Sequence, residues 1–91
     1  MKKLTIIRHA KSDWSFDVPD MDRPISKRGK NDVKIMAKLI DTIKCFPQII
    51  YLSPSKRTVE TYNLFSKYSR VFKNIEFQEA DQLYDLADIM F

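Results

Sequence analysis

Two short segments hold the residues best suited to chemistry in this 91-residue chain: Arg8-His9-Ala10-Lys11-Ser12 and Ser53-Pro54-Ser55-Lys56-Arg57-Thr58. His9 is the only histidine. A neutral imidazole nitrogen can attack phosphorus and carry a phosphoryl group as phosphohistidine. Two planar guanidiniums, Arg8 and Arg57, can grip phosphoryl oxygens in bidentate fashion and offset the charge that develops on them. Each residue alone also has an ordinary reading. His9 can be a packed or surface side chain, and Arg57 can form an ion pair with Glu60. The conjunction favours chemistry, provided the fold brings the two segments together.

The elements between them have the order needed to do so. Leu4-Thr5-Ile6-Ile7 is a short β-rich apolar run that predicts a strand buried on both faces. Residues 10–25 are polar and turn-rich, a long loop of the kind that often serves function. Ser26 is a good N-cap for a helix. Val33, Met36, Ala37, Ile40 and Ile43 follow it at the spacing of one apolar face, and Gly29 in its first turn is mildly unfavourable. Ile49-Ile50-Tyr51-Leu52 predicts a second strand. Ser55 caps a second helix, with Val59, Tyr62, Phe65 and Ser69 facing inward. Ile75-Glu76-Phe77 predicts a third, short strand, and a further helix begins within residues 80–91. This alternation predicts an α/β fold with a mainly parallel sheet and flanking helices. Ligands bind such sheets at the carboxyl ends of the strands. Arg8 and His9 follow the first strand, and Arg57 opens the helix after the second, where free N–H groups attract anions.

Three ordered segments then resemble a known family. Leu4 to Ser12 resembles the Arg-His-Gly/Ala signature of the histidine phosphatase, or phosphoglycerate-mutase-like, superfamily. Asp20-Met21-Asp22-Arg23-Pro24-Ile25-Ser26-Lys27-Arg28-Gly29 is similar to the Asp-x-x-Arg-Pro-Leu-[ST]-x-x-Gly segment of its phosphohistidine phosphatase branch. Tyr51 to Thr61 is similar to the branch's Ser-Pro-x-x-Arg-[AT]-x-x-Thr, and Leu83-Tyr84 falls where the branch often has a Leu-Tyr pair. The resemblance implies a phosphatase that works through a phosphohistidine on His9, with Arg8 and Arg57 on the phosphoryl group. The implied substrate is a protein phosphohistidine or a small phosphomonoester, and phosphate or sulfate is expected to bind in the site. Two roles are open to Arg23: phosphate or substrate contact, or a salt bridge to Asp20 or Asp22. Ser12 lies within reach of the phosphate, and a local turn hydrogen bond is its other role.

Two features depart from the pattern. Ala10-Lys11 replaces the commoner Gly-Glu. The family's second histidine, from the C-terminal part of its domain, has no counterpart in a chain with one His. A general acid is also unassigned, with Glu79 and Asp81 the nearest by position. A phosphohistidine substrate needs less acid assistance, because a protonated imidazole leaves readily. The alternative function is a catalytically incomplete phosphate-binding or protein-interaction module.

Composition narrows the field further. With 44% apolar and 31% charged residues the chain reads as an ordinary globular domain. A single cysteine, Cys45, excludes an internal disulfide, and we expect a reducing, cytoplasmic setting. Cys45 itself is expected to be a small, at least half-buried side chain. Trp14 and Phe16 are expected to staple the long loop to the body. No apolar run approaches a membrane span, and no metal or nucleotide motif is present, so no cofactor is implied. Residues 76–91 hold five acids and no Lys or Arg, so residues 1–75 carry sixteen basic against seven acidic residues, a net +9. That charge suits an anionic ligand; nucleic acid is disfavoured because no nucleic-acid-binding motif accompanies it. Against the family pattern, residues 1–91 are expected to be the N-terminal portion of a histidine phosphatase-like domain, truncated at its C-terminus and unstable or self-associating alone.

Overall fold

The computed structural model describes residues 5–43, 47–73 and 75–84. Cys45 and residues 85–91 lie outside them, and with them the expectations made there. Two helices and two strands form the frame: α1 (Lys27–Ile43), β1 (Ile50–Leu52), α2 (Lys56–Tyr68) and β2 (Phe77–Glu79). A 3-10 turn, Asp20–Asp22, interrupts the long loop before α1.

Both helices begin where a serine was expected to start them. The Gly29 N–H donates to Ser26 Oγ at 3.0 Å, the first-turn capping bond. Ser55 stands at the N-cap of α2 with no side-chain bond to the backbone; its hydroxyl donates to Thr58 Oγ1 at 2.9 Å instead. Val33, Ala37 and Ile40 are the buried stripe of α1, and they pack with Phe65 of α2 and Phe72 beyond it. The rings of Phe65 and Phe72 meet at 5.3 Å, tilted by 52°, a favourable aromatic arrangement. Asp41, in the last turn of α1, fastens the turn after α2. Its carboxylate accepts the Ser69 hydroxyl and the Arg70 and Val71 N–H groups. Those bonds hold its carboxyl below the usual range, Ser69's hydroxyl most of all.

β1 and β2 pair in parallel, with Ile50 opposite Phe77 and Leu52 opposite Glu79. With α2 between them they form a β–α–β unit, the α/β architecture expected. No helix among the described residues is long and apolar enough to cross a membrane.

Four expectations need correction. Residues 5–7 form no strand, and Ile6 and Ile7 are 64% and 47% exposed. A strand needs a neighbour to receive its backbone bonds, and the only paired strands among the described residues are β1 and β2. Met36 is also exposed, on an open apolar groove of about 310 Å³ that it lines with Ile6 and Ile7, and Ile43 is exposed too. The inner face of α2 is Arg57, Thr61 and Phe65, not Val59 and Tyr62. Tyr62 turns toward β2, where its ring meets Phe77 at 4.8 Å and its hydroxyl donates to the Ile75 carbonyl. That contact accompanies a strand at 77–79, two residues later than expected.

Candidate functional site

The segment around His9 is pinned from two sides. On one side it pairs with the residues before α1. Asp13 N–H donates to the Pro24 carbonyl at 2.9 Å, Ser26 N–H donates to the Lys11 carbonyl at 2.7 Å, and Ser12 makes a single antiparallel bridge with Ile25. Ser12 is buried in that pairing. Gly29 permits it. A Cβ there would lie 2.6 Å from the Lys11 carbonyl oxygen and 3.0 Å from the Lys11 nitrogen. On the other side the anchor is α2. Ala10 N–H donates to Thr61 Oγ1 at 3.0 Å, and that hydroxyl donates to the Arg57 carbonyl at 2.7 Å. Glu60, one residue earlier, accepts the Ile25 N–H at 3.1 Å. Glu60 therefore serves the loop, and the ion pair with Arg57 considered above does not form.

His9 is half-buried, and its Nδ1 lies 2.7 Å from the Ala10 carbonyl. A carbonyl can only accept, so Nδ1 carries the proton and Nε2 keeps its lone pair. Burial pushes the His9 pKa below its ordinary value of 6.5; the Ala10 bond opposes this, and the charges of Arg57 and Arg8 push it further down. The imidazole is therefore mostly neutral at pH 7. Arg8 is exposed and lines the apolar groove.

Arg57 is buried in the first turn of α2 and turned toward the 3-10 turn. Its Nη1 donates to Asp20 Oδ1 at 2.8 Å and its Nη2 to Asp20 Oδ2 at 3.0 Å. Nη1 also donates to the Asp20 carbonyl at 3.2 Å. The Tyr84 hydroxyl donates to Asp20 Oδ2 at 2.6 Å. Arg57, then Tyr84, hold the Asp20 carboxyl down at a pKa of about 2.

Of the two roles open to Arg23, the salt bridge to Asp20 or Asp22 does not form among the described residues. The Arg23 guanidinium donates to the carbonyls of Asp13, Phe16 and Val18 and stacks 4.1 Å from the Trp14 ring. It thus gathers residues 13–18 into one loop. Trp14 is 72% exposed, so it staples the loop to Arg23 and not to the core. Glu79 and Asp81 are exposed at and just after the end of β2. The acid that the structure brings to Arg57 is Asp20.

The charges of Arg8, from the same segment, and Arg57, from the start of α2, thus both act on His9. The profile of the histidine phosphatase superfamily (branch 1) matches residues 4–87, nearly the whole chain. The chain belongs to the histidine phosphatase superfamily. Within and around that superfamily it is 38% identical over 61 residues to an uncharacterised chloroplast protein of Arabidopsis thaliana, and the match covers 66% of this chain and 28% of that protein. It is 27% identical over 67 residues to phosphoglycerate mutase 1 of Saccharomyces cerevisiae, covering 70% of this chain and 27% of the mutase. Among solved structures it superposes with a TM-score of 0.73 and 27% identity on a protein assigned as phosphohistidine phosphatase SixA from Agrobacterium tumefaciens, covering 84% of this chain and 48% of that one. The fold also matches the protein histidine phosphatase SixA in complex with tungstate, at a TM-score of 0.68, 19% identity and coverage of 79% and 46%. The chain thus spans just over a quarter of the curated relatives and about half of the solved structures.

Around His9 and Arg57, Thr61 and Tyr84 had no role assigned from sequence, and Asp20 and Glu60 were considered only as ion-pair partners of Arg23 and Arg57. Their signal was present. Asp20 opens the Asp-x-x-Arg-Pro segment, Thr61 closes the second motif and Tyr84 belongs to the Leu-Tyr pair. Arg57, Glu60 and Thr61 also stand at i, i+3 and i+4, one face of a helix.

Proposed function

We propose that the protein carrying this chain is a phosphatase that hydrolyses a protein phosphohistidine or a small phosphomonoester through a phosphohistidine on His9. One observation carries this reading: Nδ1 of His9 is bonded to the Ala10 carbonyl, which leaves the Nε2 lone pair for phosphorus. The lowered pKa supports it, because a neutral imidazole is the nucleophilic form.

The reaction follows in two steps. The Nε2 lone pair attacks phosphorus, and the bond from phosphorus to the leaving group breaks with its electron pair. An alkoxide leaving group takes a proton, whereas a phosphohistidine leaves as imidazole and needs little help. As the P–N bond forms, the His9 ring becomes cationic, and the Ala10 carbonyl stabilises its Nδ1–H. Arg8 and Arg57 balance the charge on the transferring oxygens. Water then attacks phosphorus, the P–Nε2 bond breaks and its electron pair returns to Nε2. The water's proton passes to phosphate or solvent.

The second reading, a phosphate-binding or interaction module without turnover, is favoured by the engagement of Arg57 with Asp20. One experiment separates the two. The full-length protein is incubated with phosphoramidate and acid-labile phosphate is sought on His9. Labelling that is absent in His9→Ala supports the enzyme. Tight phosphate binding without labelling supports the module, and full turnover by His9→Ala removes His9 as nucleophile.

A further inference from the structure

Arg57 and Asp20 are unequal partners. The guanidinium side chain is 9% exposed, whereas the carboxylate that holds it is 43% exposed. Two bonds, at 2.8 and 3.0 Å, join the two Nη atoms to the two carboxylate oxygens. That fork is the geometry in which a guanidinium receives two oxygens of a phosphoryl group. The fragment bearing the carboxylate is short and exposed, and its remaining ties run to the Asp20 carbonyl, which accepts Arg57 Nη1 at 3.2 Å and the Arg23 N–H at 3.1 Å and stays free to do so when the carboxylate leaves. The 3-10 turn Asp20–Asp22 has three residues and buries none of them. Among the described residues, Tyr84, 64 residues away in sequence, also grips the carboxylate, through a hydroxyl bond of 2.6 Å.

We infer that Asp20 is an internal occupant of the Arg57 phosphoryl subsite, held there by Tyr84, and that a phosphoryl group must displace it to bind. The inference rests on the reading of Arg57 as a phosphoryl ligand. Both terminal nitrogens of Arg57 are committed to Asp20. A phosphate dianion sharing that cation with an intact carboxylate would meet like-charge repulsion at close range. Exchange resolves both problems. The buried cation keeps an anionic partner in either state, so the empty site avoids the cost of an unpaired buried charge. The exposed carboxylate can swing into water, where an ionised Asp is well solvated. Asp20 thereby sets a threshold that every ligand has to overcome, so a strongly charged oxyanion gains occupancy where a weak one does not.

The test is tungstate affinity, measured by calorimetry at pH 7 on the full-length protein and its variants. Asp20→Asn removes the competing charge and is expected to tighten tungstate about tenfold. Tyr84→Phe releases one restraint on the carboxylate and is expected to tighten it roughly threefold, within the range of one hydrogen bond. Arg57→Ala is expected to weaken binding at least tenfold. Unchanged or weaker binding by Asp20→Asn, with its melting temperature preserved, overturns the inference and makes Asp20 a positioning residue for Arg57. If Arg57→Ala leaves tungstate binding intact, the phosphoryl role of Arg57 falls, and the inference with it. If Arg57→Ala weakens binding but neither Asp20→Asn nor Tyr84→Phe tightens it, the role of Arg57 stands and the inference alone fails. A structure of the wild-type protein with tungstate decides the matter without any variant: Asp20 off Arg57 supports displacement, and the pair intact beside bound tungstate refutes it.

Discussion

Gly29→Ala sets two effects of opposite sign against each other. By helix propensity the change should help, since alanine is favoured over glycine by up to about 1 kcal/mol, and less in a first turn. By packing it should hurt. The new Cβ would stand 2.6 Å from the Lys11 carbonyl oxygen, 3.0 Å from its nitrogen and 3.3 Å from Ala10 Cβ. The two closest atoms are backbone, so no rotamer change relieves the contact. The Lys11 carbonyl also accepts the Ser26 N–H at 2.7 Å, and any retreat stretches that bond. Overpacking of this kind costs about 1–3 kcal/mol, and a weakened hydrogen bond adds ~0.5–1.5 kcal/mol. Packing wins, and the expected result is a net destabilisation of about 1–4 kcal/mol. The consequence reaches the site, because Lys11 is two residues from His9. A nucleophile displaced by ~1 Å can lose about 100-fold in rate. Urea unfolding measures the first effect and the rate of His9 phosphorylation the second. Asn31→Ala, at an exposed position of the same helix, is the control and should gain a few tenths of a kcal/mol. A Gly29→Ala protein that is stabilised like the control and labels at the wild-type rate would refute the reasoning.

Other predictions follow from single contacts. Because the His9 pKa is lowered, the neutral nucleophile dominates down to a pH below 6.5, so labelling should be flat above that pH and fall only beneath it; NMR titration of this one imidazole checks the sign, and a midpoint above 6.5 contradicts it. Asp20 has its folded pKa depressed to about 2, so its contribution to stability is complete above its ordinary value of 3.8 and is lost as pH falls through about 2, outside the range where His9 titrates. Thr61→Val leaves the Ala10 N–H without its 3.0 Å acceptor and should cost about 1–3 kcal/mol with slower labelling, whereas Thr61→Ser should keep both. Arg23→Lys removes the fork that gathers residues 13–18 and should change the emission of Trp14, the single tryptophan, and speed proteolysis in that loop. Asp41→Ala frees the turn at Ser69–Val71 and should lower Tm at neutral pH, with the difference from wild type vanishing in acid as the wild-type carboxylate is protonated.

What could be read from sequence was what local chemistry decides. Ser26 and Ser55 mark the helix starts because a cap depends on its own neighbours in sequence. Val33, Ala37 and Ile40 declare their face because periodicity is also local. The strand at 4–7 could not be judged this way, since an apolar run becomes a strand only when another backbone stands beside it. The face of α2 was misread for a different reason. Its buried stripe contains Arg57 and Thr61, two polar residues buried because each has a specific partner, and an apolar pattern cannot register such pairs. Arg23 shows the same limit, because three carbonyls and one ring engage it at positions that no charge count reveals. The three motif segments pointed to the family whose profile matches residues 4–87. Their individual tasks depended on contacts as much as 64 residues apart, such as Tyr84 with Asp20.

The register of α2 explains why that set is spaced as it is. Arg57, Glu60 and Thr61 lie at i, i+3 and i+4, and each reaches a different piece of the long loop: Asp20, Ile25 and Ala10. One helical face therefore fixes the segment around His9, the entry to α1 and the 3-10 turn relative to each other. Shifting Thr61 by one position would turn its hydroxyl about 100° away from the Arg57 side of the helix, and Ala10 would lose its anchor. Thr61 also bonds the Arg57 carbonyl, so the residue that holds the backbone next to His9 is tied to the residue that carries the buried cation. A side chain of any other length or phase at that position could serve Ala10 or the Arg57 carbonyl, but not both. The Arg-x-x-x-Thr spacing thus lets one helix start hold both Asp20 and a loop that is 51 residues distant from Thr61 in sequence.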